Sequence, residues 1–206
     1  TVGLGTAKLL CQMREQLHGT VKFIFQPAEE GVRGARAIVE NGHLEDVDFL
    51  LGAHMYGGSE QHPCGICITA GHGLATTKLD VDFHGKASHA AAAPEQGNNA
   101  LLAAATAVLN LQAIPRHGQA DTRINVGKLV AGSGRNIICD AVHMELEVRG
   151  KTSEANQYMQ TYAERIVKCA AEMHGCTVET HLMGTALSSS NSSELNERLE
   201  QVCAEQ

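Results

Sequence analysis

The hydrophobic period of this chain changes once, at the Gly71-His72-Gly73 run, and that change restricts it to two parts of different build. Ahead of the change the apolar residues come in nearly continuous runs, at 20–26 (TVKFIFQ) and 47–54 (VDFLLGAH). Between them residues 34–41 (GARAIVEN) have helical period and stop at Gly42, and residues 2–17 form an earlier helical stretch with Leu9, Leu10, Met13 and Leu17 in phase. Continuous apolar strands are buried on both faces, so strand, helix and strand predict a βαβ unit of a parallel sheet. Beyond the change the apolar residues alternate. In 74–84 Leu79, Val81 and Phe83 share one face, and 122–130, 141–148 and 177–183 are further strands. Helices are expected over 98–111 and 153–174, the second with Ser153 as N-cap and Gly175 as its stop. The order βαββαβ is that of the ferredoxin-like split unit.

Two domains follow. Residues 1–71 make an α/β part, which stays open because one βαβ unit cannot cover both faces of its sheet. Residues 72–187 make a complete α+β domain. A Ser/Asn run over 188–193 then leads into a helix over 194–204, capped by Asn191 or Ser192, and this tail (188–206) is expected to return to the first domain. The missing initiator Met gives the expectation that the chain is cut from something longer.

Charge and composition remove several classes of function. The formal net charge is −7 with no Lys/Arg cluster, which argues against nucleic acid or an anionic membrane as partner. No run approaches the ~20 apolar residues of a membrane span. The 7 cysteines are an odd number and scattered, which fits reduced thiols and a cytoplasmic protein better than a disulfide framework. The 11 histidines direct attention to metal or acid–base chemistry.

Glu29 and Glu30 directly follow the first expected strand (QPAEEG), and His54 ends the second (GAHMYG). Parallel strands share one carboxyl edge, where open α/β sheets hold their ligands, so two carboxylates and an imidazole are expected to converge. Adjacent carboxylates repel unless a cation or a shared proton offsets them. A divalent metal is one resolution, with one carboxylate ligating and its neighbour accepting a proton from water. The alternatives are that the two acids sit in the first turn of a helix and complement its dipole, and that His54 is a hydrogen-bonded core histidine. Other motifs are weaker. Cys64-Gly-Ile-Cys67 is a lone CxxC without the second pair of a zinc site. Gly132-Ser133-Gly134-Arg135-Asn136 lacks the Lys-Ser/Thr and the helix of a phosphate loop and is expected as a turn. Taken alone, His89 is a loop histidine and Arg149 a solvated cation at a strand end.

The segments FIFQPAEEGVRGAR, GAHMYG, FHGKASHAAAAPEQGNNALLAA, INVGKLVAGSGRNII and LEVRG, in that order, resemble the co-catalytic metallopeptidase family of glutamate carboxypeptidases, aminoacylases and auxin-conjugate amidohydrolases. The resemblance runs from the first helix to about Leu187. It implies that 1–71 is part of a parallel-sheet catalytic domain and 72–187 an inserted lid and dimerisation domain. It implies that Glu29 is the general base, and that Glu30 and His54 are ligands of two divalent ions, zinc or manganese. That ligand set is incomplete, because the family's His-x-Cys-Gly-His-Asp motif is expected before Thr1 and its last ligand histidine beyond Gln206. His89 matches a lid histidine that, in dimeric relatives, reaches the active site of the neighbouring copy and holds the substrate carbonyl and its developing oxyanion. Asn136 and Arg149 match lid residues that bind the substrate's carboxylate.

The implied reaction is hydrolysis of the amide bond of an N-acyl amino acid, with p-aminobenzoyl-glutamate, giving p-aminobenzoate and glutamate, as the expected substrate. The implied partners are a second copy of the chain, paired through the lid, and a second homologous subunit. The 206 residues by themselves are expected to bind metal weakly and to hydrolyse nothing. Alternatives are another N-acyl-amino-acid amidohydrolase or dipeptidase of the same family, or a non-catalytic dimerisation module.

Overall fold

A computed structural model describes residues 2–54, 68 and 72–204. The chain divides into two compact units, Thr1–Cys67 and Ile68–Gln206.

The first unit contains helix α1 (Val2–Gln12), a short 3-10 turn at Arg14–Gln16 and helix α2 (Gly34–Glu40). Gly42 ends the α2 region at φ 74°, a left-handed conformation that costs glycine nothing. Gly34 is needed for a different reason: a Cβ there would stand 1.7 Å from the Pro27 carbonyl oxygen, so the start of α2 lies against the preceding turn. Lys22 ties the run before this turn to the segment after α2, donating to the His43 carbonyl (3.1 Å) and to Asp46. Neither apolar run, 20–26 or 47–54, enters a ladder among the described residues. The expected parallel pairing is therefore not formed there. Apolar content does not make a strand without hydrogen-bonded neighbours, and Phe25, Phe49, Leu50 and Leu51 remain more than 60% exposed.

The second unit is the expected split unit. Its strands are β1 (His72–Gly73), β2 (Ala75–His84), β3 (Thr122–Ala131), β4 (Ala141–Gly150), β5 (Thr177–Ala186) and β6 (Ser189–Ser190), and its helices α3 (Ala100–Gln112), α4 (Ser153–Met173) and α5 (Ser193–Ala204). The main sheet runs β3-β4-β2-β5, antiparallel throughout. Leu79, Val81 and Phe83 of β2 and Met144, Leu146 and Val148 of β4 are buried on one face, with Ala103, Ala104, Ala107 and Leu111 of α3 and Met159, Ala163 and Val167 of α4 in the same core. The alanines of α3 let that helix approach closely. Asn99 caps it, accepting from the Leu101 and Leu102 amides. Thr152, not Ser153, caps α4, by accepting from the Ala155 amide (3.2 Å). Asn156 donates to the buried Thr77 hydroxyl (2.7 Å), pinning α4 to β2. Gly150 admits this packing, since a Cβ there would meet the Asn156 amide nitrogen at 2.3 Å.

The tail runs back to where the second unit begins. β6 pairs with β1, and Ser188 and Ser153 each donate a backbone N–H to the other's hydroxyl (3.1 Å). Residues 188–204 fall in the same compact unit as residues 72–187. Ser192 is the cap of α5, accepting from the Leu195 amide (3.3 Å). Both edge strands carry a bulge: β3 between Val126 and Lys128, and β5 opposite Lys78 and Leu79.

The sheet face away from α3 and α4 is polar. Cross-strand rows place His143 and Glu179 beside Asp82, and Glu145 and His181 beside Asp80. His143 Nδ1 lies 2.8 Å from Asp82, and its Nε2 lies 3.5 Å from Glu145; His181 approaches Asp82 (3.6 Å) and Glu179 (3.8 Å), and Lys128 pairs with Glu145 (2.6 Å). The hydrogen bond to Asp82 raises the pKa of His143 above the ordinary imidazole value, and this outweighs slight desolvation. A raised folded-state pKa contributes stability that is fully present below the unfolded value, 6.5, and is lost as pH rises through the folded value. Thermal unfolding should therefore show a melting temperature that falls as pH is raised through that window. His143→Gln should flatten this slope; an unchanged slope would show that the dyad does not couple to folding.

Candidate active site

Glu29 and Glu30 lie in the turn between Pro27 and α2, not in the first turn of the helix, which starts at Gly34. The dipole explanation for the acid pair therefore does not apply. The turn is tight and strained: Ala28 and Val32, on either side of the acids, have φ values of 52° and 53°. A left-handed conformation is unfavourable for an L-residue and more so for a β-branched one, and such strain gathers at functional sites. The Val32 amide donates to the Glu29 carbonyl (2.8 Å) and the Arg33 amide to the Ala28 carbonyl (3.4 Å), which closes the turn and leaves both acids exposed.

His54 is exposed and is the last residue described before 68. The rest of the GAHMYG motif, and Cys64-Gly-Ile-Cys67, lie outside the described residues. One carboxylate oxygen and one imidazole nitrogen suit zinc or manganese in chemistry. A catalytic zinc, however, takes about three protein ligands, and among the described residues no group of three or more His, Cys, Asp or Glu side chains could hold an ion. The described residues do not by themselves make up a metal centre.

The second unit brings together the two segments that carry His89 and Asn136. The loop after β2 is closed at its base by reciprocal bonds between Lys86 and Asn98 (both 2.9 Å). Its tip pairs with the connection between β3 and β4: His89 bridges Ile137, the Ala90 amide donates to the Asn136 carbonyl (3.0 Å), and the Ile138 amide donates to the Ser88 carbonyl (2.9 Å). Two glycines allow this closure. A Cβ at Gly85 would meet the Asn98 carbonyl oxygen at 2.1 Å, and one at Gly97 would meet the Ser88 hydroxyl at 2.4 Å. His89 Nδ1 accepts from the Ala91 (3.2 Å) and Ala92 (3.1 Å) amides. Nδ1 must then be unprotonated, so the neutral ring carries its proton on Nε2 and presents an exposed donor.

Arg149 is not beside this pair. It stands at the carboxyl end of β4, whereas Asn136 precedes the amino end of that strand and His89 follows the paired end of β2. From Ala141 to Arg149 the strand covers about 26 Å at ~3.3 Å per residue. Arg149 is half-exposed and forks onto Glu147, Nε to Oε1 at 2.9 Å and Nη2 to Oε2 at 3.3 Å. Glu147, the partner of this candidate site residue, is one that reading the sequence missed. The signal was present in the i, i+2 spacing, which puts both side chains on one strand face.

The family model for "Peptidase family M20/M25/M40" matches residues 1–206. The chain is 47% identical over 192 residues to a protein of Escherichia coli (strain K12) named as one of the subunits of p-aminobenzoyl-glutamate hydrolase, covering 93% of this chain and 43% of that protein. It is 45% identical over 192 residues to indole-3-acetyl-aspartic acid hydrolase of Enterobacter agglomerans, with the same coverage of each. Among solved structures, an aminobenzoyl-glutamate utilization protein from Klebsiella pneumoniae superposes with a TM-score of 0.80 at 42% identity, over 97% of this chain and 50% of that one. The chain thus spans about half the length of the curated relatives it matches. With its sequence matched end to end and its fold reproduced in a solved relative, the chain belongs to peptidase family M20/M25/M40, a family of metal-dependent peptidases.

Proposed function

We propose that this chain is part of a metal-dependent amidohydrolase that cleaves the amide bond of N-acyl amino acids, with p-aminobenzoyl-glutamate as substrate. The observation that carries the reading is the His89–Ile137 bridge, which with the Ala90–Asn136 hydrogen bond fixes the exposed imidazole donor against the connection that carries Asn136. The relatives named for p-aminobenzoyl-glutamate and indole-3-acetyl-aspartic acid hydrolysis support the substrate class.

Glu29 is assigned as the general base. It takes a proton from the attacking water and returns it to the leaving nitrogen, so that the amide ends as a carboxylic acid and a free amine. His89 donates from Nε2 to the substrate carbonyl oxygen, where negative charge grows in the transition state. Asn136 and Arg149 bind the amino-acid carboxylate, the guanidinium through two parallel hydrogen bonds. Glu30 and His54 are assigned as two ligands of an incomplete set for zinc or manganese. Free thiols at Cys11, Cys139, Cys169, Cys176 and Cys203 fit a cytoplasmic setting. No helix among the described residues is long and apolar enough to cross a membrane.

The length of β4 bears on the partner. A substrate reaching a few ångströms either side of its amide cannot touch His89 and Arg149 of one copy when a whole strand lies between them. We therefore assign the lid as a homodimer contact through which His89 and Asn136 of one copy serve the substrate held by Arg149 of the other. The Escherichia coli relative is named as one component of a multi-subunit hydrolase, so a second, homologous chain is a further candidate partner.

Glu29→Ala in the full-length protein should lower kcat by about 10²–10⁴-fold with bound metal unchanged. An unaltered kcat removes Glu29 from the chemistry. His89→Ala and Arg149→Ala should each be inactive alone and regain activity when co-expressed, because a mixed dimer holds one intact site. Absence of complementation would mean that one copy supplies both residues.

A further inference from the structure

Arg149 has a neighbour to which the proposed reaction gives no role. In the β3–β4 ladder Arg123 is the direct partner of Arg149, so the two side chains leave the same face of the sheet. Both are exposed, while the next pair, Thr122 and Gly150, is buried under the helices. Two cations directly opposite each other repel unless anions stand between them. One anion is present: Glu147, whose carboxylate is taken up by the Arg149 fork. Arg123 donates from Nη1 to its neighbour's carbonyl, Thr122 O (2.9 Å), and among the described residues no carboxylate pairs with it. At this end of the sheet two guanidiniums and Lys78, the ladder partner of Glu147, share one face with a single resident carboxylate, a net charge of two positive.

We propose that Arg123 is a specificity-determining residue that selects substrates whose amino-acid part carries a second carboxylate, so that the site takes N-acyl derivatives of acidic amino acids. The proposal rests on the assignment of Arg149 to the substrate's main carboxylate. Directly opposed residues hold their Cβ atoms about 5 Å apart, and two guanidinium forks leaving such a pair can meet the two carboxylates of a glutamate or aspartate at the same time. A neutral amino acid brings one carboxylate and leaves this group of three cations and Glu147 with one positive charge unmatched. An acidic one brings two, which balance Arg123, Arg149 and Lys78 against Glu147. Glu147 acts as a positioning residue: it holds the Arg149 fork in the plane of the incoming carboxylate and offsets part of the like-charge cost before substrate arrives.

The test is a selectivity ratio in the full-length enzyme, kcat/KM for p-aminobenzoyl-glutamate divided by kcat/KM for p-aminobenzoyl-glutamine. Arg123→Gln should lower this ratio by about tenfold or more, the worth of one charge-assisted hydrogen bond, and the loss should fall mainly on KM. Arg123→Lys, which keeps the charge, should restore most of it and controls for folding. An unchanged ratio in Arg123→Gln overturns the proposal. Arg149→Gln separates this from the underlying reading. Failure on both substrates there, with an unchanged ratio in Arg123→Gln, removes only the role of Arg123. Full activity of Arg149→Gln, or a wild-type enzyme that cleaves neither compound, overturns both.

Discussion

The ladder between β2 and β4 is the constraint on which the second unit depends. Its register runs unbroken from Ala75 opposite Gly150 to His84 opposite Ala141. Through it Leu79, Val81 and Phe83 and their partners Leu146, Met144 and Val142 are presented together to α3 and α4. A slip of one residue would turn that apolar set outward and the Asp82–His143 and Asp80–Glu145 rows inward. Burying those charges would cost far more than the lost hydrogen bonds. The same register sets the length that separates Arg149 from the His89–Ile137 bridge, and the proposed pairing of copies rests on that length.

Much of this unit was legible before the structure. Strict alternation in β2 and β4, the stop at Gly175 and the order βαββαβ are local patterns with a direct physical meaning. The errors at the ends are small and have named causes. Thr152 caps α4 because its hydroxyl, and not that of Ser153, reaches the Ala155 amide. β5 extends to Ala186 because the partner strand β2 carries on to Thr76 and holds it. In the first unit the helices α1 and α2 and the stop at Gly42 were legible, whereas the two apolar runs were legible only as composition. TVKFIFQ and VDFLLGAH have the apolar content of buried strands, yet a strand is defined by its neighbours, and among the described residues these runs have none. For the same reason the convergence of Glu30 and His54 belongs to the proposal and not to the described geometry.

The candidate site divides along the same line. Glu29-Glu30 stood out as an acid pair, but its strained turn could be found only in the φ values of Ala28 and Val32. The His89–Ile137 bridge joins positions far apart in the chain through main-chain atoms, which carry no sequence signature. The glycines at 85 and 97 that permit it look ordinary until the space around them is measured. The pairing of Arg149 with Glu147 was within reach of simple strand periodicity, whereas that of Arg149 with Arg123 needed the register.

The bulges in β3 and β5 bear on what the two open edges of the sheet can accept. Each edge offers unpaired backbone groups to any passing strand, and a flat edge recruits indiscriminately. An extra residue interrupts the spacing of donors and acceptors and sharpens the local twist. A straight, foreign or unfolded segment then matches the edge for only a few residues before it loses step. Only a surface bent to the same irregular template can extend the sheet further, so the kinks act as a filter against amyloid-like growth while leaving room for a shape-matched assembly.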